Sequence, residues 1–165
     1  MLPGMHRYHL LERVVYGKPA AEALLQEIEA QQLTRVFLTT NRSLSGPDGL
    51  AAKIAAALGP KCVGTYAGIR AHSPRENVVE GAAEARAAKA DLLVAVGGGS
   101  VIDATKLMLR CLWDGLTTTE QLDAFRGTRG ADPSRRPKGM ESAVRMMAVP
   151  TTYSCLLYTS DAADE

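Results

Sequence analysis

The segment from Asp91 to Leu112, DLLVAVGGGSVIDATKLMLRCL, restricts the fold more than any other part of the chain. Leu92 to Val96 is an unbroken apolar run, too short for a buried helix and without the polar alternation of a half-solvated strand. Such a run marks a strand with both faces covered, the arrangement of a parallel sheet wrapped by helices. Three glycines, Gly97 to Gly99, interrupt it, and apolar residues then return at helical spacing from Ser100 to about Leu112. Strand, glycine turn and helix in that order are part of a β-α-β unit.

The same alternation runs along the rest of the chain. Pro19 suits the first turn of a helix, and Ala20, Ala23, Leu24 and Ile28 recur at helical spacing through Gln31. Arg35 to Thr40 is a buried strand, Asn41 to Gly49 a loop, and Leu50 to Leu58 a helix closed by Gly59-Pro60. Lys61 to Tyr66 is the next strand, and Ser73-Pro74 opens a helix over Arg75 to Lys89. Residues 114–142 are polar and form a long loop with one turn of helix at Thr119 to Phe125, ahead of a last strand at Val144 to Val149. Near the N-terminus, Tyr8 to Leu10 and Arg13 to Tyr16 are short β-favouring runs. The expected architecture is α/β: a Rossmann-like parallel sheet wrapped by helices, with right-handed crossovers.

Composition narrows the functional classes. The 165 residues carry a net charge of +1, which offers no electrostatic attraction for nucleic acid or a membrane surface. No apolar stretch approaches the ~20 residues that span a bilayer. Met1 to Leu10 carries His6, Arg7 and His9 and no apolar core, so no secretory signal is expected there. Cys62, Cys111 and Cys155 lack metal-ligand spacing. A cytoplasmic protein is expected, with neither nucleic acid nor membrane as partner. Cys62, Cys111, Met146 and Met147 fall in apolar runs and are expected in the core.

The glycine turn carries the chemistry. In an open α/β sheet, ligands sit at the carboxyl ends of the strands. A helix N-terminus there presents unpaired N–H groups and partial positive charge, which suits a phosphate. A tight turn needs one glycine, and each further glycine adds roughly 0.5–1 kcal/mol of unfolded-state entropy to overcome. Their use is close approach of the backbone to a ligand. Ser100 can cap the helix and donate to a phosphate oxygen. Ser100-Val-Ile-Asp103 also matches a capping box, which by itself accounts for both polar residues.

Gly97 to Lys106 (GGGSVIDATK), followed by Ala148 to Ser154 (AVPTTYS), resembles the iron-containing alcohol dehydrogenase family. Glu12 to Leu24 (ERVVYGKPAAEAL) is similar to that family's opening strand, turn and helix. His72 to Ser100 is similar to the branch that contains the maleylacetate reductases. The resemblance implies an N-terminal domain of the dehydroquinate synthase-like type that binds NAD or NADP. It implies a separate C-terminal helical domain that holds a divalent metal, iron or zinc, usually through one Asp and three His. The implied activity is hydride transfer between a nicotinamide cofactor and a small alcohol or carbonyl substrate, of alcohol dehydrogenase or maleylacetate reductase type. A homodimer is common in that family. Carried onto this sequence, Gly97, Gly98, Gly99 and Ser100 hold the pyrophosphate, and Thr151 and Thr152 line the cofactor. Asp103 and Lys106 lie close to the cofactor and the catalytic cleft, although a solvated lysine paired with Asp103 explains Lys106 equally well.

Two alternatives stand beside this reading: a polyol dehydrogenase or dehydroquinate synthase-like lyase, and a non-catalytic nucleotide-binding module. The serine after the glycines and the D-x-x-K spacing favour the alcohol dehydrogenase branch. Where many family members carry an acid that binds the ribose 2′-OH, this chain has Asn41 beside Arg42. A 2′-phosphate is therefore expected to be tolerated, unless Asn41 and Ser43 simply shape the turn. His72 is read as an ordinary loop histidine near the cleft side.

The domain is expected to span residues 1–154 and to be incomplete at its C-terminal end. Residues 155–165, CLLYTSDAADE, depart from the family pattern and equal the translation of a common transposase library adapter. They are expected to be adapter read-through, an expectation that genomic DNA carrying these codons in frame would reject. Residues 1–154 contain no metal-ligand constellation, so the chain by itself is expected to be inactive.

Overall fold

Four parallel strands form the centre of the computed structural model, which describes residues 13–126 and 144–152. In chain order the elements are α1 (Ala20–Ala30), β1 (Val36–Thr39), α2 (Leu50–Leu58), β2 (Cys62–Tyr66), α3 (Arg75–Ala87), β3 (Leu92–Gly97), α4 (Gly99–Asp114), α5 (Thr119–Arg126) and β4 (Arg145–Pro150). The sheet order is β2-β1-β3-β4. The expected α/β architecture is what the chain adopts.

Alternation along the strands assigns the two faces. Val36, Leu38, Leu92, Val94 and Val96 point to one side, where Leu24 and Ile28 of α1 and Ala51, Ile54 and Leu58 of α2 cover them. Phe37, Leu93 and Ala95 point to the other, against Val78, Ala82 and Ala85 of α3 and Val101, Ile102, Ala104 and Met108 of α4. Because both faces are covered, β3 is buried along its whole length. Met146 and Met147 of β4 join opposite clusters but stay partly exposed.

At the amino edge of the sheet, the Asp91 carboxylate ties β1 to β3. It accepts from Thr34 N at 2.8 Å, Thr34 Oγ1 at 3.1 Å and Arg35 N at 2.9 Å. Arg35 in turn donates through Nη2 to the Ala88 carbonyl at 2.7 Å, at the end of α3. These bonds set the strand register, pairing Val36 with Leu92 and Thr39 with Ala95. They hold the opposite edge, where the strands end, in a fixed stagger.

Three local expectations differ from what is observed. Arg13 to Tyr16 forms no strand; Val14, Val15 and Tyr16 are exposed, and Arg13 is tied instead to Glu27 of α1 at 2.9 Å. β-branched residues favour a strand only where a neighbouring backbone pairs with them, and no described strand lies beside this segment. Helix α3 stops at Ala87 rather than Lys89, because Lys89 turns left-handed (φ 50°) and Ala90 N donates back to Ala85 O at 3.1 Å. Helix α4 runs on to Asp114, two residues past Leu112, and ends on left-handed Gly115. Tyr8 to Leu10, His6, His9, Cys155 and the segment 127–143 lie outside the described residues.

Cys111, fully buried on α4, gives stability a pH dependence. Burial pushes its thiol up to about 11 from an ordinary 9.0. The folded state therefore prefers the protonated thiol. That preference is fully present below the unfolded value and is lost as pH rises from about 9 towards about 11. Tyr66, raised by burial and by its 2.6 Å bond to Glu80, acts in the same direction. The urea midpoint of the wild type should fall more steeply between pH 9 and pH 11 than that of Cys111→Ala, whose curve keeps only the Tyr66 component. Parallel curves for the two proteins would reject a protonated thiol at Cys111.

Candidate functional site

The order β2-β1-β3-β4 fixes where a ligand is bound in such a sheet. From β1 the chain moves outward through α2 to β2, then returns through α3 across β1 to β3. The connections therefore leave β1 and β3 on opposite faces, and the crevice at the carboxyl ends of these two strands is the topological switch point. Gly97 ends β3 at that position. Continuing the register of Thr39 with Ala95 by two residues sets Asn41 level with Gly97. Thr40 locks the two strand ends together by donating from Oγ1 to the Val96 carbonyl at 2.8 Å.

The glycine turn passes directly into α4. Gly98 is the N-cap, in extended backbone (φ −83°, ψ −168°), and its carbonyl accepts from Val101 N and Ile102 N. The helix leaves the amides of Gly99 and Ser100 with no acceptor behind them. A Cβ on Gly98 would lie 2.9 Å from Thr152 Oγ1, and one on Gly97 would lie 2.6 Å from Val101 Cγ2. Gly97 thus lets the helix pack on its own strand, while Gly98 lies against the segment that follows β4. Thr151 N donates to Gly97 O at 3.0 Å and fixes that segment. Gly97, Gly98, Gly99, Ser100, Thr151 and Thr152 are accordingly brought together from two distant parts of the chain.

The capping box is not formed. Helix α4 starts at Gly99, one residue before Ser100, and its N-cap Gly98 has no side-chain cap. Ser100 is therefore inside the first turn, where its hydroxyl cannot close the helix end. Its Oγ instead accepts from His72 N at 3.4 Å, and its carbonyl accepts from Ser73 Oγ at 2.7 Å. Ser73 likewise does not cap α3, whose N-cap is Pro74. His72 and Ser73 both take positive φ, 62° and 47°. This loop contact was missed in the sequence, because residues 28 and 27 positions apart carry no common periodic signal.

Asp103 and Lys106 lie on α4 one and two turns beyond the glycines. Lys106 Nζ stands 3.6 Å from Asp103 Oδ1, an ion pair that fits the solvated-lysine alternative. Asp103 Oδ1 is buried and has no hydrogen-bond donor among the described residues. Asn41 shapes its turn: Oδ1 accepts from Ser43 Oγ at 2.7 Å and from Leu44 N at 3.2 Å. One other polar cluster escaped sequence reasoning, the buried pair Thr39 Oγ1···Thr105 Oγ1 at 2.6 Å, which pins α4 to β1 below the site.

These residues fit a dinucleotide diphosphate: bare amides, partial positive charge at a helix end, and a backbone stripped of Cβ atoms where the anion approaches. They do not fit a metal. Among the described residues no group of three or more His, Cys, Asp or Glu side chains is placed to hold one. Nor, among those residues, is any helix long and apolar enough to cross a membrane.

Comparison with known proteins shows the family. The model of the family described as iron-containing alcohol dehydrogenase matches residues 12–160. Dehydrogenase FUM7 of Gibberella moniliformis is 33% identical over 152 residues, covering 88% of this chain and 35% of its own. A maleylacetate reductase of Burkholderia cepacia is 27% identical over 144 residues, covering 87% of this chain and 32% of its own. The chain thus spans about a third of the length of these relatives. In fold it is like the iron-containing alcohol dehydrogenase of Thermococcus thioreducens, with a TM-score of 0.64 at 24% identity over 85% of this chain and 35% of that one. Because the family model matches residues 12–160, most of the chain, this protein belongs to the iron-containing alcohol dehydrogenase family, a family of oxidoreductases.

Proposed function

We propose that this chain is the dinucleotide-binding part of an NAD(P)-dependent, metal-dependent dehydrogenase acting on a small alcohol or carbonyl compound, of alcohol dehydrogenase or maleylacetate reductase type. The observation that carries the proposal is the position of Gly97 to Ser100 at the switch point, with the amides of Gly99 and Ser100 free of helical acceptors. The Gly99 and Ser100 amides donate to the diphosphate, and the Ser100 hydroxyl adds a third donor. Thr152, beside Gly98, and Thr151, bonded to Gly97, close the other wall. Asp103 and Lys106, deeper on α4, face the cofactor side of the cleft. A bound nicotinamide would accept a hydride from an alcohol or give one to a carbonyl. The contribution of this chain is to bind and orient the dinucleotide. No group able to hold the metal is found among the described residues of this chain.

Asn41 decides the dinucleotide. Its carbonyl oxygen is committed to the turn, it carries no charge, and Arg42 beside it is exposed. A 2′-phosphate meets no carboxylate there, so the site accepts NADPH as well as NADH. Asn41→Asp should weaken NADPH roughly fivefold and leave NADH within about threefold, since one like charge near the surface costs about 1 kcal/mol. Titration of both reduced dinucleotides, followed by the fluorescence of the single tryptophan Trp113, checks this. NADH bound several hundred-fold more tightly than NADPH would reject the assignment of Asn41. No binding of either would reject the function.

A further inference from the structure

The loop from Arg70 to Pro74 touches the site without belonging to the sheet or to α4. It contains two consecutive non-glycine residues at positive φ, His72 at 62° and Ser73 at 47°. Each such residue costs roughly 1–2 kcal/mol relative to ordinary backbone, and such conformations persist only where surrounding contacts over-determine them. Both residues are committed to one target. His72 N–H donates to Ser100 Oγ, and Ser73 Oγ–H donates to Ser100 O. Pro74, next in the chain, caps α3 with its carbonyl accepting from Asn77 N and Val78 N, which fixes the far end of the loop.

The consequence falls on the orientation of Ser100. Because its Oγ accepts from the His72 amide, the hydroxyl hydrogen is left to donate elsewhere. Because its carbonyl is held by Ser73, the first turn of α4 cannot fray away from the crevice. We propose that Ser73 is a positioning residue for the bound diphosphate, acting through Ser100 rather than touching the ligand. The left-handed pair at His72 and Ser73 is the strained arm that sets it there. This inference rests on the dinucleotide reading of the glycine turn.

The test compares wild type, Ser73→Ala, Ser73→Gly and Ser73→Asn in NADPH titrations and in thermal unfolding. Glycine relieves the left-handed strain and removes the hydroxyl, so a purely structural role predicts an unfolding temperature and an affinity that move together. The positioning role predicts that they separate. Ser73→Gly should unfold no earlier than wild type and yet bind NADPH about fivefold more weakly, the worth of one neutral hydrogen bond. Ser73→Ala should show the same loss of affinity. Asparagine tolerates positive φ and carries a donor, so Ser73→Asn should recover most of the binding. Equal affinity for all four proteins overturns the positioning role while leaving the dinucleotide site standing. Failure of the wild type to bind overturns both.

Discussion

Gly98→Ala should leave the protein folded and weaken dinucleotide binding by on the order of 100-fold, or about 2.7 kcal/mol. The two halves of this expectation have separate causes. At φ −83° and ψ −168°, Gly98 sits in backbone that any residue adopts, so alanine introduces no torsional strain. The new methyl would meet Thr152 Oγ1 at 2.9 Å and Thr152 Cγ2 at 3.3 Å. That side chain is exposed beyond the end of β4, where a rotation of χ1 relieves the contact. Losing glycine also reduces unfolded-state entropy by roughly 0.4–1 kcal/mol, offsetting the clash. Stability should therefore stay within about 1 kcal/mol of wild type.

Binding has no such relief. In the proposed site, a diphosphate oxygen that accepts from the Gly99 and Ser100 amides lies about 2.9 Å from their nitrogens and beside Gly98 on its Thr152 side, where the methyl would stand. Thr152→Ala in the same background separates the two effects: it restores full stability and does not restore affinity, because the methyl still stands in the anion's place. Titration with NADPH and thermal unfolding of the three proteins check this. Affinity of Gly98→Ala within threefold of wild type would move the diphosphate away from the glycine turn and take the proposed function with it.

How much of this was legible in the sequence depends on whether the signal is local. The unbroken run Leu92–Val96 could only be a doubly covered strand, and its burial at every position follows from that. The glycine turn was legible for the same reason, since its residues are consecutive. Pairing is not local. Arg13–Tyr16 has the composition of a strand and no described neighbour to pair with, and propensity carries no information about neighbours. Ser100 misled through a local rule that another local feature overrode: glycine at 98 is itself an acceptable N-cap, so the helix began before the serine reached the capping position. The contacts of Ser73 with Ser100 and of Thr39 with Thr105 join segments 27 and 66 residues apart. Only the folded sheet brings those segments together. Asn41 lies between these cases, for its turn-forming role was readable from residue type, and its level with Gly97 was not.

Leu93→Ala should produce the opposite pattern to Gly98→Ala: a large loss of stability with the affinity of the folded protein preserved. Leu93 is fully buried on the face covered by α3 and α4, paired with Phe37 on one side and Met146 on the other. Its side chain points into the face covered by α3 and α4, not to the carboxyl edge where the dinucleotide is proposed to bind. Truncating a buried leucine costs roughly 2–5 kcal/mol, depending on how far the site collapses. Collapse is restricted here, because β3 is hydrogen-bonded to β1 and β4 on both edges and cannot shift in the plane of the sheet. Met108, flexible and fully buried in the same cluster, is the neighbour able to fill part of the void. The expected cost is therefore about 3 kcal/mol, a substantial share of a total stability of roughly 5–15 kcal/mol. For a domain of this size that lowers the midpoint of thermal unfolding by about 10 °C. Urea and thermal unfolding measure the loss, and NADPH titration well below the midpoint should return the wild-type affinity within about threefold. A loss below about 1 kcal/mol would mean that β3 is not the buried centre of the sheet. An intact fold with lost binding would mean that the ligand reaches between the helices rather than resting at the strand ends.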